Sequence, residues 1–127
     1  MKLSTHFDTS EFDCHGSGCC NGLGYTVNRK LIDLLEQLRS NIGGYPLHIN
    51  SGVRCSIHNA EVGGVPNSQH VLGNAADVAV PDELTIDEFK WYCEQLPFDG
   101  IGVYYDANFI HLDVRDGGIG AGYFWEE

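Results

Sequence analysis

The chain has few basic side chains and no long hydrophobic run. Its 127 residues include 18 Asp and Glu against 7 Lys and Arg, which gives a formal net charge of −11. Sequence-independent binding to nucleic acid and adsorption to anionic membranes both depend on Lys and Arg near phosphates. A membrane-spanning helix needs about 20 consecutive apolar residues, and the sequence contains no such stretch. We therefore expect neither a nucleic-acid partner nor a membrane partner.

The amino terminus also lacks the apolar segment of a signal peptide, so we expect synthesis in the cytoplasm. The five cysteines are an odd number, and a complete disulfide framework is not expected without secretion. Cys14, Cys19 and Cys20 are crowded in a glycine-rich segment, whereas Cys55 and Cys93 stand alone. The first three together with Cys55 suit a structural zinc site. Reduced, buried thiols are the alternative.

Length and composition indicate one domain spanning residues 1–127. The chain is 43% hydrophobic and 20% charged, which is typical of globular proteins. Residues 1–25 are predicted to form an irregular Cys-rich arm. The patterns of apolar residues, caps and turns then predict, in order, a helix over 26–42, a strand over 47–53, a long loop over 54–74, a buried strand over 75–80, a helix opened by the capping box Thr85–Glu88, and strands over 100–105 and 109–115 joined as a hairpin. The predicted fold class is α+β.

The last predicted strand carries polar side chains in an unusual combination. Alternation places His111, Asp113 and Arg115 on one face and aliphatic residues on the other. If the aliphatic face is buried, the polar trio points together into a cavity or solvent. A functional site is one interpretation, and an exposed strand with a local ion pair is the other.

A second set of polar residues lies before and within the predicted buried strand over 75–80. Asp77 lies among alanines and valines, where a carboxylate is costly to bury unless it meets a cation or metal. His70 belongs to the preceding loop. With His111, these residues supply His, Asp and His with no thiolate nearby in sequence. Three protein ligands and an open water position are the arrangement of a catalytic zinc, which lowers the pKa of its water to about 7.

Five segments stand out together: SGVRC at 51–55, HNA at 58–60, GGVPNSQH at 63–70, GNAAD at 73–77 and FIHLDVR at 109–115. In combination they resemble the zinc D-Ala-D-Ala carboxypeptidase family, in particular the small peptidoglycan peptidases of bacteriophages and bacteria. The resemblance runs from about Phe12 to Arg115. It implies the small α+β fold shared with the Hedgehog signalling domain, for which we expect an antiparallel sheet with helices packed on one face.

The resemblance also implies a metallopeptidase with one Zn²⁺ held by His70, Asp77 and His111. Such enzymes cleave peptide bonds in the peptidoglycan stem or crossbridge, usually next to D-amino acids. The choice between a carboxypeptidase and an endopeptidase of the endolysin type stays open. The resemblance further implies that Arg54 approaches the substrate, where its planar fork would hold a carboxylate or polarise the scissile carbonyl.

Two serines near these motifs are candidates for binding the substrate backbone. Ser51 precedes Arg54 by three residues, and Ser68 precedes His70 by two. Loop serines more often form turns, and that alternative stays open for both residues.

The general base is the point at which the sequence departs from the family pattern. Related enzymes often carry Glu or Asp three residues before the last histidine ligand, and here that position is Asn108. An amide cannot accept a proton from water. Asp113 is our candidate, because same-face residues on a strand lie about 6.6 Å apart and its carboxylate follows His111. Orienting His111 is the alternative role for Asp113, and Asp106 in the hairpin turn is a further candidate base.

The absent acid at position 108 leaves a second class of function open. A metal-stabilised module of this fold would bind cell-wall peptide or another protein without cutting it, as the Hedgehog domain serves as a ligand. In either case we expect a monomer. Action on the wall by a cytoplasmic product requires release by lysis, passage through a pore or packaging in a bacteriophage virion.

Overall fold

A five-stranded sheet forms the centre of the fold. The computed structural model describes residues 1–127. The strands are β1 (Ile49–Ser51), β2 (Ala75–Ala79), β3 (Gly100–Tyr104), β4 (Phe109–Asp113) and β5 (Tyr123–Glu126). They lie in the order β1-β2-β4-β3-β5. All neighbouring pairs are antiparallel except β3 and β5, which run parallel. The α+β prediction is confirmed, with the edge strand β5 as the one exception to an antiparallel sheet.

The three α-helices are α1 (Arg29–Asn41), α2 (Ser56–Glu61) and α3 (Ile86–Glu94). The predicted capping box of α3 is present, with Thr85 and Glu88 bonding each other's backbone N–H. The first helix begins later than predicted, because Asn28 caps it and Thr26 belongs to a preceding 3-10 turn. None of these helices combines the length and apolar character needed to cross a membrane.

One face of the sheet carries the hydrophobic core, on which α1 and α3 pack. The predicted alternation along β4 is present, since Ile110, Leu112 and Val114 are all buried in that core. The face opposite therefore holds the polar side chains of the same strand. Alternation in β2 works in the same way, with Ala76 and Val78 on the core side. The core-forming half of the sheet thus leaves one polar face free for a site.

The amino-terminal arm is packed against the domain, although it has little regular structure. Phe7 and Phe12 enter the core and contact each other edge to face at 5.9 Å between ring centroids. The carbonyl of Phe12 accepts a hydrogen bond from the N–H of Val53 at 2.8 Å. Gly52 has no side chain where the backbone of Phe12 crosses it. The arm therefore contacts the segment that follows β1.

The segment over 54–74 differs from the predicted loop, because it contains the short helix α2. This helix has six residues, of which only Asn59 is buried. A single buried position shows no hydrophobic period, so the sequence pattern could not reveal the helix. Its effect is to bring residues 54–70 back over the polar face of the sheet.

Candidate active site

Three predicted metal ligands converge on the polar face of the sheet. Asp77 in β2 and His111 in β4 are direct partners across the strand pair, and the loop after α2 adds His70. The Oδ1 atom of Asp77 lies 3.1 Å from His70 Nε2 and 3.1 Å from His111 Nδ1. One donor atom from each residue falls within 4.8 Å of the other two. The structure therefore brings the predicted triad together.

The other ring nitrogen of each histidine is engaged by an acceptor. His70 Nδ1 lies 2.7 Å from the carbonyl oxygen of Gly52, and His111 Nε2 lies 2.8 Å from Asp113 Oδ2. When those nitrogens carry the hydrogens, the nitrogens that face Asp77 present lone pairs. Two imidazole lone pairs and a carboxylate facing one another require a cation between them. Nitrogen and carboxylate oxygen are ligands that zinc accepts, so the residues present fit that metal.

Charge in the triad is set by opposing effects of burial and hydrogen bonding. Burial alone would raise the pKa of Asp77, but the bonds with His111 and His70 outweigh it and hold the pKa below its usual range. Burial would lower the pKa of His111, but Asp113 and Asp77 raise it above its usual value. Asp77 therefore stays ionised at neutral pH, as a ligand for a divalent cation must.

Asp113 is fully buried beside His111. Its Oδ2 accepts from His111 Nε2 and from Arg115 Nη2 at 2.7 Å, and its Oδ1 accepts from Arg115 Nε at 3.0 Å. Burial alone would raise the pKa of Asp113, but these bonds outweigh it and hold the pKa below its usual range. The Asp113 carboxylate is therefore a weak proton acceptor. Gly100 on β3 makes room, because a Cβ there would lie 2.1 Å from Asp113 Oδ2. Of the two roles open for Asp113, this geometry favours orienting His111.

Arg54 lies beside the triad, as predicted. Its Nη2 is 3.5 Å from Asp77 Oδ2, on the carboxylate oxygen that does not face the histidines. Its Nε donates to Ser51 Oγ at 3.2 Å, and its Nη1 donates to Asn59 Oδ1 at 3.1 Å. The guanidinium is thus held at the wall of the cleft by three neighbours.

The two candidate serines contact other site residues. Ser51 accepts the bond from Arg54 just described, and Ser68 Oγ accepts from the backbone N–H of His70 at 3.2 Å. Ser68 closes the turn that carries His70, which is the turn-forming alternative, and it also lines the cleft. Substrate binding by either serine stays a prediction.

The triad opens into a cleft of about 660 Å³. Arg54 and Arg115 provide the cationic side chains of its wall, and Asp77 and Glu127 are the carboxylates among its lining residues. The aromatic side chains that line it are Tyr104, Phe109 and Trp125. The cleft therefore combines a metal site with charged and flat apolar surfaces that suit a peptide.

Two residues of this site, Asn59 and Glu127, were not found by sequence analysis. Asn59 holds Arg54, and Glu127 reaches the cleft because β5 pairs with β3. The same pairing brings Trp125 to the cleft. The Trp125 ring lies 5.1 Å from that of His111. Gly102, the β3 residue opposite both, leaves space for the indole, since a Cβ there would lie 2.3 Å from it. The aromatic residues of the tail were the available sequence signal for Trp125.

The hairpin turn before β4 holds the two remaining candidates. Asn108 has a φ of +56°, a left-handed conformation that Asn adopts more readily than most residues. The position three residues before His111 is thus part of a tight turn. Neither Asn108 nor Asp106 is among the residues that line the cleft, so the structure does not favour Asp106 as the base.

Two comparisons with known proteins agree with this geometry. The family model described as Peptidase M15 matches residues 5–113. A protein of Streptomyces albus G named "Zinc D-Ala-D-Ala carboxypeptidase" is 41% identical over 44 residues, which cover 35% of this chain and 17% of that relative. The predictions of family, of a metallopeptidase and of zinc as its metal agree with both matches and with the triad. The chain belongs to the peptidase M15 family.

Proposed function

We propose that this chain is a zinc-dependent hydrolase that cleaves peptide bonds of bacterial peptidoglycan. The observation that carries the proposal is the convergence of His70, Asp77 and His111 at the floor of an open cleft. The relative from Streptomyces albus G adds support for the substrate, because its name specifies a D-Ala-D-Ala carboxypeptidase. Stem and crossbridge peptides are therefore the proposed substrates.

Zinc bound by the triad would supply a Lewis acid that activates water. The chain's own residues determine how that metal is presented. The Gly52 carbonyl and Asp113 hold the two imidazoles in the tautomers that direct His70 Nε2 and His111 Nδ1 toward Asp77. Arg115 in turn keeps Asp113 ionised and in place. We therefore assign Asp113 and Arg115 as positioning residues.

Arg54 is the cation available to the substrate. The guanidinium of Arg115 is engaged by the Asp113 carboxylate and lies 4.6 Å from the Tyr123 ring. Arg54 has weaker partners, since its nearest carboxylate oxygen is the 3.5 Å contact with Asp77. It lines the cleft next to the triad, where it would bind a carboxylate or stabilise negative charge on the scissile carbonyl oxygen.

Proton transfer requires a base that the cleft exposes, and we assign it to Glu127. Asp77 is a metal ligand and Asp113 is enclosed by His111 and Arg115, which leaves Glu127 as the remaining lining carboxylate. Its backbone continues the pairing with β3, through the bond from Glu127 N–H to the Val103 carbonyl at 2.8 Å. This pairing fixes the backbone of Glu127 beside the cleft that the residue lines, and we assign its carboxylate to accept a proton from water there.

The test is digestion of purified cell walls, with mass spectrometry of the muropeptides before and after. Zinc-loaded protein should release new peptide products, chelated protein should release none, and added zinc should restore activity. Release of free D-Ala would indicate a carboxypeptidase, and loss of crosslinked species would indicate an endopeptidase. His111→Ala should be inactive, whereas His48→Ala, an exposed histidine outside the cleft, should match the wild type.

Zinc binding without any product from cell walls would overturn the proposal and favour the alternative, a non-catalytic module that binds wall peptides. A bacteriophage endolysin role, with release by lysis, through a pore or within a virion, stays a prediction, as does the monomeric state.

A further inference from the structure

A second cluster of metal-ligating side chains lies where the amino-terminal arm meets the segment after β1. Cys14, Cys19 and Cys20 come from the arm, and Cys55 follows Arg54 directly. Each of the four thiols is half-buried. Their sulfur atoms all lie within 4.8 Å of one another. We propose that these four cysteines bind a second zinc ion with a structural role, separate from the His70–Asp77–His111 site.

The distances between the sulfurs fit one tetrahedral ion. Four sulfurs about 2.3 Å from a zinc ion at the centre of a tetrahedron lie about 3.8 Å from one another. The separations are 3.9 Å for Cys14–Cys19, 3.8 Å for Cys14–Cys55 and 4.0 Å for Cys19–Cys20. Cys19 and Cys55 are closer, at 3.0 Å, but no pair is at the roughly 2.05 Å of a disulfide. The four sulfurs therefore surround a common point.

The donor set points to a structural site rather than a catalytic one. Structural zinc is bound by four Cys or His ligands with no open position, whereas catalytic zinc keeps one for water. Backbone N–H groups of Cys55 and His58 point at Cys14 Sγ and Cys55 Sγ, at 3.5 and 3.3 Å. Such donors stabilise the thiolate form that binds metal.

The backbone of the arm is shaped around the sulfurs. Gly16 has no side chain where Cys19 Sγ lies, because a Cβ there would be 2.3 Å from that atom. Gly18 and Gly22 both adopt left-handed conformations, with φ of +71° and +93°, which turn the chain on either side of Cys19 and Cys20. The loop thus brings three sulfurs to one side within seven residues, 14–20.

The position of Cys55 connects this cluster to the active site. Cys55 caps α2, the helix that carries Asn59, and it directly follows Arg54 in the sequence. Arg54 and Asn59 hydrogen-bond to each other at the cleft wall. A metal at the four sulfurs would close the 41-residue separation between Cys14 and Cys55 and clamp this segment to the arm. Its role is therefore to fix the backbone that presents Arg54.

The first test is metal stoichiometry, which does not depend on the substrate or on activity. Protein equilibrated with excess zinc under reducing conditions and then desalted should hold two zinc ions per chain. His111→Ala should keep one ion, with X-ray absorption showing sulfur ligands alone at about 2.3 Å. Cys14→Ser and Cys55→Ser should each hold one, and Cys93→Ala, which alters the buried cysteine outside the cluster, should hold two.

The His111→Ala variant keeps the test decisive if the cysteine variants do not fold, since all four sulfurs remain in it. Reconstituted with Co²⁺, it should show thiolate-to-cobalt charge-transfer absorption, and its four cluster thiols should resist alkylation until the metal is removed. A single zinc in the wild type that is absent from His111→Ala would overturn the proposal. So would alkylation of all four thiols at the same rate with and without metal.

Discussion

Replacing Asp113 by Asn separates the two roles that the sequence left open for this residue. The structure places its carboxylate between His111 and Arg115, with Oδ2 shared by both at 2.8 and 2.7 Å. An amide has only one acceptor oxygen. If that oxygen takes the Oδ2 position, the NH₂ group faces Arg115 Nε and the 3.0 Å bond is lost; if it takes the Oδ1 position, the bonds from His111 and Arg115 Nη2 are lost. In either orientation the variant loses at least one bond and the negative charge that supports the others.

The expected effect is on metal binding. Loss of a carboxylate partner behind a metal-ligating histidine lowers metal affinity by about 10- to 100-fold, or about 1.4 to 2.7 kcal/mol of binding free energy. Turnover of Asp113→Asn should therefore fall at limiting zinc and return close to the wild-type value at saturating zinc. The assay is turnover on muropeptides against buffered free zinc. Asp106→Asn, in the turn outside the cleft, should match the wild type at every zinc concentration.

A different result would refute the reasoning. If Asp113→Asn holds zinc with unchanged affinity but loses about 100-fold or more in turnover at saturating metal, Asp113 accepts the proton itself. The orienting role inferred from the burial and hydrogen bonds of its two oxygens would then be wrong.

Three further predictions follow from particular contacts. Glu127→Gln should retain zinc and lose about 100-fold or more in turnover, measured as kcat with zinc content; unchanged kcat would remove Glu127 as the base. Asp99 is buried and accepts four backbone N–H bonds from the segment 116–121 that leads into β5, so Asp99→Asn should lower the free energy of unfolding by about 2 to 4 kcal/mol in urea titrations. Burial raises the pKa of Asp99, but these bonds outweigh it and hold the pKa below its usual value. The stabilisation by Asp99 is therefore present above the unfolded-state pKa and is lost as pH falls through the folded-state pKa. A wild-type advantage over Asp99→Asn that stays constant from about pH 7 to pH 2 would contradict this. Chelation should lower Tm, because buried Asp77 loses its counter-charge, and an equal Tm in scanning calorimetry with and without chelator would show that the site contributes nothing to folding.

Much of the site was predictable because strand alternation is a local property. The two-residue period of β4 put His111 and Asp113 on the face opposite Ile110 and Leu112, and burial of the aliphatic pair then left the polar pair together on the other face. Asp77 stood out for the same reason, since an ionised side chain in a buried strand needs a partner. These inferences need no knowledge of which strands are neighbours.

Other elements depend on contacts between distant segments. The parallel pairing of β5 with β3 places Trp125 and Glu127 at the cleft, and nothing in the local sequence 123–127 specifies that partner. Helix α2 is too short to show a period, and the bond between its Asn59 and Arg54 at the cleft wall is visible only in the folded chain. Pairing and docking of this kind are set by the whole core rather than by neighbours in sequence.

The sequence by itself predicted the three candidate metal ligands, the polar face and the family, because each prediction depends on residue identity and on spacing within short segments. Only the tertiary structure decided what the neighbouring groups do. Asp113 is placed to orient His111, because Gly100 on another strand leaves space for it and Arg115 donates to both of its oxygens. Cooperation among side chains depends on distances of a few ångströms, which are set when the strands pair and the core packs.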